Sequence, residues 1–180
     1  AAALRDKGIA IFDADKAGHE ALEPDGEAFE QVSKRWPEIV EDGRVNRRAL
    51  GRIVFGNPEL LAELESYTHP AIRTRLDRQV DAPDADAPMV EMPLPKDLMG
   101  PSRLRAVVDV PDEIRIDRLL ARGMQRDEIL QRMAAQPSRN DWKAIAHYVL
   151  DNSGTLEELD AEVDALIAWM RRLVRHEETA

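Results

Sequence analysis

The sequence predicts an α/β protein in which a parallel sheet is covered by helices on both faces. Three observations lead there. Short runs rich in β-branched residues alternate with helical signals, the first run ends in acidic residues as strands do at the ligand-binding edge of an open sheet, and the last helix carries one continuous apolar face. At 180 residues the chain is long enough for one domain spanning 1–180 that includes a small helical insertion.

The elements follow in order. Ala1 to Lys7 reads as the end of a helix closed by Gly8, so further chain is expected ahead of it. Ile9-Ala10-Ile11-Phe12 is a buried parallel strand that delivers Asp13-Ala14-Asp15 at its C-terminal edge. From Lys16 to about Ala82 the signals are almost wholly helical: Asn46 caps a helix over 47–55, and Asn57 followed by Pro58 opens one over 59–67. The segment 83–88, rich in Asp, Ala and Pro, reads as a surface loop, and Met89 to Met92 is a second strand stopped by Pro93. Arg105 to Val110 is the best strand by composition, and Pro111-Asp112 then opens a helix with Ile114, Leu119 and Leu120 toward a core. His147 to Leu150 is the last strand. Asn152-Ser153-Gly154 turns the chain, Thr155 and Glu158 form a capping box, and Leu156, Leu159, Val163, Leu166, Ile167, Met170 and Leu173 line one helix face.

Composition narrows the function classes. Lys and Arg number 25 against 35 Asp and Glu, a net charge of -10, which argues against a nucleic-acid surface because binding the phosphate backbone needs a basic face. Cysteine is absent and the four His are scattered, so neither a disulfide framework nor a zinc cluster is expected. No stretch approaches the ~20 apolar residues of a membrane span, and the expected setting is the cytoplasm. Basic charge gathers locally between Arg122 and Lys143, where Arg122, Arg126, Arg132, Arg139 and Lys143 outnumber Asp127, Glu128 and Asp141.

In an extended chain Asp13 and Asp15 point the same way and can share one site; a strand followed by Asp is also a common turn or cap. Arg132 offers a permanently charged planar fork suited to phosphate, with Arg139 and Lys143 behind it; a solvated basic helix face is the alternative. Asn152 and Gly154 are explained equally by a turn before a capped helix. His69 before Pro70 is either a ligand contact or a helix terminator. Trp36, Trp142 and Trp169 read as packing residues.

Taken together in order and spacing, Asp13-Ala14-Asp15, His19 and Pro24, the run Asp42-Gly43-Arg44-Val45-Asn46-Arg47-Arg48-Ala49-Leu50, His69-Pro70, Met92-Pro93-Leu94, Arg132-Met133-Ala134-Ala135-Gln136 and Asp151-Asn152-Ser153-Gly154 resemble the dephospho-coenzyme A kinase family over about residues 8 to 170. The resemblance implies a P-loop kinase-like three-layer fold with a parallel sheet, a helical substrate-binding insertion at about 16–82 and a lid at about 122–143. It implies phosphorylation of the ribose 3′-hydroxyl of dephospho-coenzyme A by ATP with Mg²⁺, the last step of coenzyme A synthesis. By the same resemblance Asp15 contacts the acceptor hydroxyl and Arg132 the transferring phosphoryl group; Asp13 lies in the phosphate and metal region and His69 binds the acceptor; Arg139 and Lys143 serve the nucleotide, and Asn152 and Gly154 pass beside its adenine. The family's phosphate loop, G-x-x-x-x-G-K-S/T, is expected ahead of Ala1 together with the first strand. Leu94-Pro95-Lys96-Asp97 stands where the family has an apolar pair and a Glu, and Lys143 alone stands among the further basic residues the family carries near 142–145. Two other readings stay open: a related P-loop kinase for a nucleotide or shikimate-like acceptor, and a non-catalytic relative that binds a coenzyme A-like ligand or a partner.

Overall fold

A computed structural model describes residues 1–82, 87–92, 98–100 and 103–177, the last four of these by backbone alone. Along the chain run helix α1 (Ala2–Asp6), strand β1 (Ile11–Asp13), helices α2 (Ala14–Ala21) and α3 (Phe29–Arg35), a 3₁₀ turn (Pro37–Ile39), strands β2 (Val40–Glu41) and β3 (Arg44–Val45), helices α4 (Arg47–Val54) and α5 (Pro58–Val80), and strand β4 (Met89–Glu91). Strand β5 (Ala106–Asp109), helices α6 (Asp112–Ala121), α7 (Arg126–Ala134) and α8 (Arg139–Ala144), strand β6 (Tyr148–Asp151) and helix α9 (Leu156–Glu177) complete it. These fall into two compact units, Ile9–Gly100 and Ala1–Gly8 with Pro101–Ala180.

In the first unit β1 and β4 pair in parallel, Ile11 opposite Met89 and Asp13 opposite Glu91. Parallel strands need a long crossover, and the helical stretch between them supplies it. Asp13 ends β1 and caps α2, its Oδ1 accepting from the backbone N–H of Asp15 at 2.9 Å and of Lys16 at 3.1 Å. The small residues Ala14, Ala17 and Ala21 of α2 are buried in one cluster with Ala71, Ile72 and Leu76 of α5, so the two helices approach closely. Val32, Trp36, Ile39, Leu50 and Val54 fill the rest of that core. Trp36 meets Tyr67 edge-on at 6.2 Å and lies under the Arg35 guanidinium, the packing role expected for it.

Two stretches of backbone in this unit follow a different path from the sequence reading. Asp42-Gly43 makes a hairpin turn between β2 and β3, with positive φ at both residues (49° and 75°), as a two-residue turn of that kind requires. The helix expected over 59–67 continues through Pro70 to Val80. Pro70 forfeits one backbone bond and strains the turn before it, at a cost of roughly 3 kcal/mol. Burial of Ile72 and Leu76 beyond it offsets that, at about 1.5–3 kcal/mol each. His69-Pro70 is therefore no helix terminator.

In the second unit β5 and β6 pair in parallel, Ala106 opposite Tyr148 and Asp109 opposite Asp151. The expected capping box opens α9: Thr155 N–H donates to Glu158 Oε2 at 2.7 Å, and Glu158 N–H to Thr155 Oγ1 at 3.2 Å. Val163, Leu166 and Ile167 are buried as expected, whereas Leu156 lies 84% exposed because it occupies the first position of the helix, ahead of the buried face. Gly8 closes α1 with φ 83°, and Lys7 holds Asp160 and Asp164 of α9 at 3.0 and 2.8 Å. Trp169 packs on Tyr148 with ring centres 5.2 Å apart. Pro93-Leu94 and Pro95-Lys96-Asp97 lie outside the described residues. Among the described residues no helix is long and apolar enough to cross a membrane.

Leu76, with no exposed surface, tests this packing. Leu76→Ala should cost about 2–5 kcal/mol in urea unfolding, while Leu156→Ala should stay within about 0.5 kcal/mol; equal effects would contradict the assigned core.

Candidate functional site

The basic stretch expected near 122–143 divides in two. Arg139 and Lys143, both on α8, converge on Asp109 at the C-terminal end of β5. Arg139 Nε donates to Asp109 Oδ1 at 2.6 Å and its Nη2 to Oδ2 at 2.7 Å, a two-pronged pair, and Lys143 Nζ donates to Oδ2 at 3.2 Å. The Asp109 side chain is only 8% exposed. The Arg139 guanidinium, and after it the Lys143 ammonium, hold the Asp109 carboxyl down to about 2 from its ordinary 3.8, against the opposing effect of burial. A capping box between Ser138 and Asp141 sets the start of α8, so the helix presents Arg139 and Lys143, one turn apart, to the same carboxylate.

Arg132 is elsewhere. It sits on α7, exposed, with its Nη2 2.7 Å from Glu128 Oε1 one turn back, and the structure does not bring it to Asp109. The turn after β6 is held from two sides: Asn152 N–H donates to the Asp109 carbonyl at 2.8 Å, and the Arg118 guanidinium donates to the carbonyls of Asn152 at 2.7 Å and Gly154 at 3.2 Å. Asp109 and Arg118 were both missed in the sequence. Asp109 had a signal, since it ends the best strand as Asp13 ends the first; Arg118 had none beyond its place on an amphipathic helix.

In the Ile9–Gly100 unit the structure corrects the expected Asp13–Asp15 geometry. The two carboxylates do not project in parallel from an extended chain, because the strand stops at Asp13 and Asp15 stands in the first turn of α2. Asp13 Oδ1 is committed to the cap; the Asp15 side chain is exposed. His69 lies on α5 with Nε2 4.0 Å from Glu65 Oε2. A shallow cleft of about 290 Å³ lies along another face of the same helix, lined by Tyr67, Pro70 and Thr74 together with Glu27 and Gln31, and His69 is not part of its lining. Among the described residues no group of three or more His, Asp and Glu could hold a metal ion.

The Asp109 pairing gives a pH signature. The folded carboxyl titrates below its unfolded value, so the pair stabilises the fold above pH about 4 and loses that contribution as pH falls toward about 2. Asp109→Asn should cost about 1–3 kcal/mol at neutral pH, and the gap to the wild type should close between pH about 4 and 2 in denaturant titrations. A gap independent of pH across that window would contradict the assignment.

The family model for dephospho-CoA kinase matches residues 1–158, which takes in Asp13, Asp15 and His69 as well as Asp109, Arg118, Arg132, Arg139, Lys143 and the Asn152–Gly154 turn. A dephospho-CoA kinase of Thermus thermophilus is 36% identical over 171 residues, covering 93% of this chain and 83% of that protein. The Frankia casuarinae dephospho-CoA kinase is 33% identical over 184 residues, 99% of this chain and 80% of its own. Among solved structures, TT1252 from Thermus thermophilus superposes with a TM-score of 0.75 at 35% identity over 93% of this chain and 87% of that one. The Campylobacter jejuni dephospho-CoA kinase shares the fold with a TM-score of 0.67 at 23% identity, over 93% and 88%. The chain belongs to the dephospho-CoA kinase family.

Proposed function

We propose that this protein is a kinase that transfers the terminal phosphoryl group of ATP to the ribose 3′-hydroxyl of dephospho-coenzyme A, the final step of coenzyme A biosynthesis. The observation that carries this reading is the family match across residues 1–158, which includes the strand-end residues Asp13 and Asp109 and the basic helices. The helical stretch at about 16–82 serves as the acceptor-binding insertion and about 122–143 as the lid. A cytoplasmic setting is part of the same reading.

Phosphoryl transfer depends chiefly on positioning and charge stabilisation, and the residues divide along those lines. Asp15, fixed in the first turn of α2 by the Asp13 cap, orients the acceptor hydroxyl rather than acting as a strong base. His69 contributes a contact to the acceptor. Among the described residues Arg132 is tied only to Glu128, on an exposed helix face. Such a pair contributes about 0.3–0.5 kcal/mol, so its release toward a phosphate costs little. Arg139 and Lys143 are different. Their bonds to a buried carboxylate are too strong to abandon for each turnover, so they serve the nucleotide with the donors that hydrogen-bond no described residue: Nη1 of Arg139 and further N–H groups of Lys143. The Asn152–Gly154 turn, fixed by Arg118, borders the adenine.

Mg²⁺ enters as the metal complex of ATP. It keeps several waters and needs only one or two carboxylates besides the phosphates. Asp13 fits that requirement: Oδ1 is spent on the helix cap, and among the described residues Oδ2 makes no hydrogen bond. Bound there, the ion would neutralise charge on the phosphates.

A single kinetic comparison tests the reading. ADP release with MgATP should be fast with dephospho-coenzyme A and much slower with adenosine monophosphate or shikimate, and equal turnover of either alternative would overturn the assigned acceptor. In the same assay Asp15→Asn should lower kcat with ATP affinity little changed, and Arg132→Lys should lower it by ~10³-fold or more if the planar fork reaches the transferring group. Near-normal turnover of Arg132→Lys would move that role to Arg139 or Lys143.

A further inference from the structure

Helix α4 buries Leu50 and Val54, with Ala49 and Ile53 partly covered beside them. A residue four positions on lies above its predecessor on a helix, and one seven positions on lies nearly so. Arg48, Arg52 and Phe55 follow that spacing and form one stripe on the face opposite the core. All three are exposed, Phe55 by 81%.

The arginines of this unit are not equivalent. Arg35 holds Glu63 at 2.7 Å, Arg44 holds Glu23 at 2.6 Å, Arg73 holds Asp77 at 3.5 Å, and Arg75 and Arg78 hold Glu27 at 2.5 and 3.5 Å. Arg47, Arg48 and Arg52 make no hydrogen bond or ion pair among the described residues, and all belong to α4. In a chain with ten more acidic than basic residues, carboxylates are plentiful, yet they are withheld from this one helix. Phe55 adds an apolar surface beside the free guanidinium groups. Its ring lies along the helix over Gly51, where an added Cβ would come within 3.0 Å of Cε2 and 3.3 Å of Cδ2. A side chain at 51 would push the ring off that seat.

We infer that the Arg48–Arg52–Phe55 stripe of α4 anchors the diphosphate and pantetheine arm of the acceptor, an assignment that rests on the kinase reading above. Two planar forks one helical turn apart suit a ligand with two adjacent phosphates, because each guanidinium can hold an anionic oxygen pair. The aromatic ring one turn further on suits the branched apolar carbons that follow the diphosphate in dephospho-coenzyme A. Charge complementarity selects the anion, and the ring selects an organic one.

Calorimetric titration with dephospho-coenzyme A and, separately, with adenosine tests this, since adenosine keeps the ribose and lacks the diphosphate and pantetheine. The Arg48→Ala/Arg52→Ala variant should bind dephospho-coenzyme A at least ~10-fold more weakly with adenosine affinity unchanged, and Phe55→Ala should weaken only the former. Arg48→Lys/Arg52→Lys should recover part of the loss, and thermal melts of all variants should match the wild type because the three side chains are exposed. Unchanged affinity for dephospho-coenzyme A in the double variant would overturn the stripe and leave the kinase reading standing. A wild-type protein that binds no dephospho-coenzyme A would overturn both. Sedimentation showing a wild-type oligomer that the double variant dissolves, with ligand affinity intact, would assign the stripe to a second copy of the chain and overturn the inference.

Discussion

The Asp109 carboxylate is the constraint around which the strand ends of the Pro101–Ala180 unit are arranged. It gathers two cations from α8 at 2.6–3.2 Å while its own backbone carbonyl receives the N–H of Asn152. One residue thus ties the end of β5 to α8 and to the turn following β6. Removing water from a carboxylate costs several kcal/mol, and the two-pronged guanidinium with the added ammonium is what offsets it. Losing one partner would leave that cost uncompensated, so Asp109, Arg139 and Lys143 act as a unit rather than as separable surface charges.

The same device recurs at lower strength elsewhere. Asp13 ends β1 and caps α2 through two backbone N–H groups, and Asp151 ends β6 and accepts from the Ser153 N–H at 2.8 Å. A short strand-end carboxylate reaches the next few amides easily, and a cap of this type contributes about 1 kcal/mol. Each of these three Asp residues therefore spends at least one oxygen on folding. In the kinase reading that commitment fixes where the neighbouring groups lie: the side chain of Asp15, the turn at 152–154, and the free donors of Arg139 and Lys143.

Much of this was legible from residue order. The Gly8 stop, the Asn46 and Asn57 caps, the strands at 89–91 and 106–109 and the Thr155–Glu158 box depend on contacts within a few residues, which the sequence carries directly. The extension of α5 through Pro70 was not, because local preference opposes it and burial of Ile72 and Leu76 decides it. Asp42-Gly43 was a readable hairpin signal that its helical surroundings obscured. At the site, Arg139 and Lys143 stood out as a basic run, but their partner is some thirty residues away in the chain; likewise nothing near Arg118 announces that it holds the carbonyls of Asn152 and Gly154. Asp15 was expected on an extended chain beside Asp13 and stands in a helix turn instead, because the Asp13 cap starts α2 at once.

Asp109 and Arg139 are energetically one unit, and a double-mutant cycle measures that directly. Unfolding free energies at neutral pH for the wild type, Asp109→Asn, Arg139→Gln and the combined variant give the coupling between the two sites. The two single losses together should exceed what the combined variant loses by about 1.5–3 kcal/mol. Effects that add to within about 0.5 kcal/mol would show two independent surface groups and contradict it.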